Sequence, residues 1–351
     1  MQGNSAWCFV FDRQLYICVL DTEIHMCFVI LIWFYLFAGR ECRTYMKYPE
    51  FREELLNVLK SMVTKEVKVR LVQAEKLNGC MRFGVSFDSE GMKYSPTIYL
   101  EPFYRSFQRG KSIEEIAKEL FACYEEELHD VPESVESLHS YESARENIYC
   151  KLIHLEENKC LLQNTPHIIF LDFAIVAYFE VNHEEIYKGS VLIKDYFLER
   201  WQITEEELIN NALLRTKEKK EVFFRPMSEI LYQYISEEDG DFYEYAQKGM
   251  FVLTNTEKYL GAIMVYYPEV LSGVASTIKE DFYLLPSSIH EWIVVPISTT
   301  SDEDELLRTV RDINHSAVLE EEVLSDNIYL YTVTAGDERI RCITEFGVKS
   351  A

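Results

Sequence analysis

The sequence predicts an α+β fold, with mixed sheets and packed helices arranged as two or three small units. Three observations carry this. Apolar residues recur at helical spacing in some stretches and alternate in others. Two capping boxes, Ser112 with Glu115 and Thr204 with Glu207, mark helix starts between strand-like runs. Residues 281–296 read D-F-Y-L-L-P-S-S-I-H-E-W-I-V-V-P, two β-rich runs split by Pro286-Ser287-Ser288. Such runs read as paired or consecutive strands.

Residues 1–45 differ from the rest. Residues 26–39 form an uncharged apolar run of 14, followed by Arg40 and Arg43. A spanning helix needs about 20 such residues. Asp21 and Glu23 precede the run, where a signal peptide would carry basic residues. Met46 opens an amphipathic helix cleanly, so the expectation is an overlong start with Met46 as the natural one; a membrane or export segment and a structural helix are the other readings. From there Phe51, Leu55, Val58, Leu59 and Met62 mark a helix over 48–63. Val67, Val69 and Leu71 alternate with Lys68 and Arg70 as a strand does. Residues 77–79 are a turn, 81–87 and 96–100 are strands, and 102–108 is a short helical turn. The helix capped by Ser112 runs to about Leu128 and buries Ile113, Ile116, Ala117, Leu120 and Phe121. A polar stretch with Pro132 follows.

The spacing of Ala144, Ile148, Leu152 and Leu155 predicts a helix over 141–155. The apolar run 168–181, interrupted by Asp172 and Glu180, reads as a long central strand or a strand pair. Residues 190–193 form another strand, the Thr204-capped helix runs to about Leu214, and Pro226 opens a helix over 227–235. Residues 237–241 are an acidic loop without the frame of a calcium site. Residues 250–254 are a strand leading into 258–266, and 269–279 is a helix. The stretch 281–296 follows, then a helix capped by residues 301–304 and a closing strand over 327–333. The expected divisions are 1–45, 46–136, 137–248, 249–335 and a tail, 336–351.

Composition narrows the function classes. Of 351 residues, 48% are hydrophobic and 27% charged, which fits a globular chain rather than a disordered one. A net charge of -24 opposes nucleic-acid backbones and anionic membrane surfaces. Nine scattered cysteines, with no C-x-x-C, fit reduced thiols in a cytoplasmic protein. No glycine-rich phosphate loop, H-E-x-x-H or G-x-S-x-G is present. No cofactor is expected. His167, Asp172 and His183 flank one run but sit at its two ends, a poor arrangement for a metal, and no metal site is expected.

The catalytic candidates are Asp172, His290 and Glu291, because each is an ionisable group set in an apolar strand region. A carboxylate at Asp172 must be paired, hydrogen-bonded or protonated, and backbone N–H groups or an arginine are the expected partners. In one strand Ser288 and His290 would share a face while Ser287 and Glu291 point away, so a Ser-His-Glu set could not converge.

Four segments carry a family resemblance. They are P-H at 166–167 running into L-D-F-A-I-V at 171–176; M-F-V-L-T-N at 250–255 with Gly261-Ala262; residues 281–296; and L-S-D-N-I-Y at 324–329. In order and spacing, from about Met46 to about Thr332, they resemble a clostridial family of gut and rumen bacteria, domain of unknown function 5688. The resemblance implies a helix at Met46 and no activity, substrate or cofactor. Residues 191–214 are loosely similar to another uncharacterised bacterial family, domain of unknown function 1444. Two classes of function follow: a noncatalytic interaction or regulatory module that offers Tyr-rich sheet faces to a protein partner, or a hydrolase of unfamiliar type using Asp172, His290 and Glu291.

Overall fold

The computed structural model describes residues 7–11, 15–21, 46–64, 66–89, 94–127, 136–183, 187–231, 249–300, 302–333 and 339–343. The apolar run 26–39, the acidic loop 237–241 and the helix expected beyond Leu231 lie outside the described residues. In chain order the strands are β1 (Trp7–Phe11), β2 (Leu15–Asp21), β3 (Val67–Glu75), β4 (Met81–Ser89), β5 (Tyr94–Tyr99), β6 (Ile148–His154), β7 (His167–Phe170), β8 (Phe173–His183), β9 (Tyr187–Leu192), β10 (Val222–Pro226), β11 (Phe251–Asn255), β12 (Phe282–Ser288), β13 (Glu291–Pro296), β14 (Tyr329–Thr332) and β15 (Arg339–Cys342). The main helices are α1 (Tyr48–Met62), α2 (Glu101–Gln108), α3 (Ile113–Glu127), α4 (Asp195–Trp201), α5 (Glu205–Lys219), α6 (Pro268–Ile278) and α7 (Glu303–Ser316). The fold is α+β.

The chain divides into two compact units, neither continuous in sequence. The first comprises Met1–Ile24, Gly39–Ile148 and Tyr178–Gln202. Its strands run in the order β3-β4-β5-β1-β2-β9, followed by residues 178–183 of β8. Helix α1 buries Phe51, Leu55 and Leu59, successive residues of one stripe, against Val69, Phe87 and Leu120. Burying three such side chains contributes roughly 1.5–3 kcal/mol each before entropy is charged. The start of α3 is closed as the capping box requires. Ser112 Oγ accepts the Glu115 N–H at 3.2 Å, and the Glu115 carboxylate accepts the Ser112 N–H at 3.0 Å.

The second unit comprises the described residues of Tyr149–Ala177 and Ile203–Ala351. It holds an antiparallel six-stranded sheet, ordered β10-β11-β13-β12-β14-β15. Val252, Tyr283, Leu285, Ile293 and Val295 pack in one cluster with Leu306 and Val310 of α7. Thr204 caps α5, its Oγ1 accepting the Glu207 N–H at 3.1 Å, and Asp302 caps α7 in the same way at 2.9 Å. Helix α5 buries Leu208, Ile209, Ala212 and Leu213.

Several elements differ from the sequence expectation. Residues 141–155 are not one helix: a single turn at Tyr141–Ala144 and a 3-10 turn lead into strand β6. Every residue of β6 before His154 is buried, so a helical stripe and a doubly covered strand give the same apolar pattern. The run 168–181 is a strand pair, β7 and β8, with Leu171-Asp172 as its turn. In 281–296 the chain turns at Ile289-His290, not at Pro286-Ser287-Ser288. Pro286 lies beyond the β14 pairing, which covers residues 282–284, and next to a register shift, where its missing N–H is tolerated. The region after Gly336 is not all tail, because β15 pairs with β14. Residues 222–226 add an edge strand, and 261–266 form a 3-10 helix.

Candidate functional site

Asp172 owes its position to the β7–β8 turn. Leu171 takes a left-handed φ of 56°, and Phe170 pairs with Phe173 across the hairpin. Leu155 N–H donates to the Asp172 carbonyl at 3.0 Å, which fixes the turn from the backbone side. The carboxylate then meets donors from the stretch leading into β14. Tyr329 Oη lies 2.8 Å from Oδ1 and 2.7 Å from Oδ2, and Asn327 Nδ2 donates to Oδ2 at 3.0 Å. Ser325 Oγ lies 3.4 Å from Oδ2 and 2.9 Å from Tyr329 Oη, and it accepts the Asn327 N–H at 3.1 Å. The single phenol proton is shared among the two carboxylate oxygens and Ser325 Oγ, and the Ser325 hydroxyl donates to Asp172 Oδ2. Burial first, and the Asp172 charge second, push the Tyr329 hydroxyl far above its ordinary range, so it remains a donor.

Beneath this set lies an aromatic frame. Phe173, Trp292 and Tyr329 contact one another pairwise, with ring centroids 5.8, 5.4 and 5.4 Å apart. Trp292 and Tyr329 are fully buried, and the indole N–H donates to the Ala262 carbonyl at 2.8 Å. Tilted and edge-to-face aromatic pairs add about 0.5–1.5 kcal/mol each beyond area burial.

His290 is fastened differently. It sits in the β12–β13 turn with its side chain buried. Nδ1 accepts the Leu260 N–H at 2.9 Å, which places the neutral ring's proton on Nε2, 3.5 Å from Glu322 Oε1. Leu260 itself holds a left-handed φ of 52°. The His290 carbonyl accepts Thr254 Oγ1–H at 2.6 Å. Gly261 closes the same corner: a Cβ there would lie 2.1 Å from Thr254 Oγ1, 2.6 Å from Asn255 N and 2.9 Å from the His290 oxygen. The corner therefore requires glycine.

The three candidates do not assemble. Asp172 bonds with Tyr329, Asn327 and Ser325, and His290 is not among its partners. Glu291 accepts from Ser287 Oγ at 3.3 Å. Ser288 Oγ accepts the His290 backbone N–H at 3.1 Å. The serine thus meets the histidine through its main chain. The expected single strand is instead a hairpin, in which Ser288 pairs with Glu291 across the turn. The partners of Asp172 are side-chain hydroxyl and amide groups, not backbone N–H groups or an arginine. His167 Nδ1 is 2.8 Å from the Thr165 carbonyl, and its backbone N–H donates to Glu205. The His183 side chain lies outside the described residues. Among the described residues, no group of three or more His, Cys, Asp or Glu could hold a metal ion.

The first, third and fourth signature segments supply Asp172 and Phe173, Trp292, and Tyr329. The second supplies the Ala262 carbonyl that holds the indole. The family of unknown function DUF5688 matches residues 48–333. The chain belongs to the DUF5688 family. No curated protein and no solved structure matches it. In this DUF5688 protein, Ser325, Asn327 and Tyr329 are the polar residues that sequence reasoning left without a role. Their signal was a hydroxyl, an amide and a phenol at positions 325, 327 and 329, and a bend at Asp326, where Ser325 Oγ accepts the Asn327 N–H, precedes the strand that begins at Tyr329. Among the described residues, no helix is long and apolar enough to cross a membrane.

Proposed function

We propose that this DUF5688 protein is a noncatalytic interaction module whose polar interior serves its architecture. One observation carries the reading: the candidate acid, imidazole and second carboxylate each have separate partners, Tyr329 for Asp172, the Leu260 N–H for His290 and Ser287 for Glu291. General base catalysis needs a base within hydrogen-bond reach of the group it deprotonates, and a nucleophile needs such a base beside it. Ser325, the serine that meets Asp172, is 1% exposed and lies beside the buried Tyr329 hydroxyl. The partner is taken to be a protein, since the net charge of -24 opposes nucleic acid.

Crosslinking of the native protein, followed by reconstitution with the captured partner in purified form, tests the reading. The expected result is a complex of fixed stoichiometry that survives Asp172→Asn and His290→Asn wherever those variants remain folded. Hydrolysis of ester, phosphoester or peptide substrates by the wild type, abolished in a folded Asp172→Asn protein, would overturn it.

A further inference from the structure

Strand β7, in the second unit, is held at both ends. At its start the His167 backbone N–H donates to Glu205 Oε1 of α5 at 2.7 Å. At its end the Phe170 ring meets Tyr266 edge-on, with centroids 5.3 Å apart. Along one side it pairs with β8, Phe170 opposite Phe173 and Ile168 opposite Ile175. The turn at Leu171-Asp172 makes Phe170 and Phe173 a hydrogen-bonded pair, and such pairs recur at every second residue. The ladder therefore uses Ile168 and Phe170, while the main chain of His167 and Ile169 faces outward. Glu205 takes the first of these outward N–H groups. Ile169 keeps its N–H and carbonyl on the open side, and its side chain is 66% exposed. Among the described residues, no second strand pairs with β7.

The strands that end the sheet orders are guarded in other ways. Strand β6 is buried before His154. Strand β3 exposes Lys68, Arg70 and Glu75, and β15 exposes Arg339 and Arg341. On β10, Arg225 Nη1 donates to the Phe224 carbonyl at 3.2 Å, and Pro226 has no N–H to offer. Charged side chains and proline keep an edge from pairing with another chain. Strand β7 reads His-Ile-Ile-Phe, with no Lys, Arg, Asp, Glu or Pro.

The surroundings of β7 set the chemistry of what it can take. Glu205, Glu206 and Glu207 are exposed in the first turn of α5, and Glu205 reaches the start of β7. A strand laid along the outer edge passes that turn, where Lys or Arg meets the opposite charge. The net charge of -24 favours a basic partner and opposes a second copy of the chain. We infer that the outer edge of β7 docks an extended segment of a protein partner. That segment pairs with the Ile169 main chain, packs an apolar residue on the Ile169 side chain and sets Lys or Arg against Glu205, Glu206 and Glu207. Main-chain bonds supply affinity in such strand addition, and alternate side chains supply selectivity. The docking edge rests on the interaction-module reading and gives that partner its chemistry.

Selection of short random peptides displayed on phage against the full chain tests it, followed by calorimetry with the enriched sequence as a synthetic peptide. The expected sequence alternates apolar residues and carries Lys or Arg at one end. Bound peptide should slow hydrogen exchange at the Ile169 N–H, which the β7–β8 ladder leaves open. Affinity should fall about tenfold or more in Ile169→Lys, in Glu206→Lys and in Ile169→Pro, which stays apolar but loses the outward N–H. Arg225→Gln, on β10, leaves binding unchanged. Glu206 is exposed on α5, so its variant remains informative where a β7 variant fails to fold. Enrichment of no sequence, enrichment of sequences without basic residues, or equal affinity in wild type and Ile169→Lys would overturn the docking edge. A wild-type dimer that Ile169→Lys converts to monomer would also overturn it, because a second copy would then be the occupant. A crosslinked partner that binds wild type and Ile169→Lys alike removes the β7 site and leaves the interaction module standing. Substrate hydrolysis that is lost in folded Asp172→Asn removes the module itself.

Discussion

Around Asp172 a carboxylate meets three polar side chains, all drawn from one short stretch, Ser325, Asn327 and Tyr329. Around Glu101 a carboxylate takes two donors on one oxygen, while the other oxygen and two nitrogens of Arg52 stay buried without a hydrogen bond. The first arrangement closes on itself: each donor is used, and an aromatic frame supports it. Both sets combine charge with aromatic rings, so residue type alone does not show how completely each is hydrogen-bonded. The Asp172 carboxylate finds its donors within the fold, and Asn327 Oδ1 of that set is buried without a hydrogen bond, whereas around Glu101 one carboxylate oxygen and two Arg52 nitrogens make none.

That contrast can be broken most forcefully at its aromatic frame. Trp292→Ala removes a fully buried indole and should destabilise by about 3–5 kcal/mol, read by urea unfolding. Asp172→Asn should cost about 2–3 kcal/mol in the same assay, because an amide cannot accept from Tyr329 and Asn327 as a carboxylate does. Arg105→Gln, by comparison, should leave stability within about 0.5 kcal/mol of wild type or raise it, since it relieves repulsion by Arg82 and Arg109. A loss at Arg105 equal to that at Asp172 would erase the distinction.

Alkaline pH sharpens the comparison further. The Tyr329, Tyr267 and Tyr48 hydroxyls are all raised from their ordinary value of 10.0, burial being the largest cause of each. Above about pH 10 the unfolded chain loses these protons while the folded chain keeps them, so stability falls as pH rises. Below that pH the contribution is fully present. The expected slope is at most about 1.4 kcal/mol per pH unit for each tyrosine, measured by denaturation at successive pH values. Tyr329→Phe should make that slope shallower. The smallest effect is at a helix end: Asp302→Ala removes the α7 cap and should cost about 1 kcal/mol by thermal unfolding.

Legibility in the sequence followed the range of each signal. Caps are local: Ser112 and Thr204 act as read, and within the expected cap at 301–304 it is Asp302 that closes the helix. Strand β6 was hidden because burial on both faces removes the alternation that distinguishes a strand from a helix. Ile289-His290 was hidden as a turn because neither residue is a usual turn former, while Pro286 nearby is. Strand β15 is short and gains its place only by pairing with β14. Asp172 stood out at once as a carboxylate within an apolar run. Its partners lie more than 150 residues later in the chain, beyond any pattern that periodicity can register. Arg52 left one faint sign, the absence of an acidic residue one turn away on its helix.

A double-mutant cycle on Asp172 and Tyr329 tests the architectural claim most directly. Unfolding free energies of wild type, Asp172→Asn, Tyr329→Phe and the double variant should reveal a coupling of about 1.5–3 kcal/mol, with the double variant more stable than the two single losses would sum to. Additive losses near zero in fully folded proteins would contradict it, and would leave Asp172 free for chemistry.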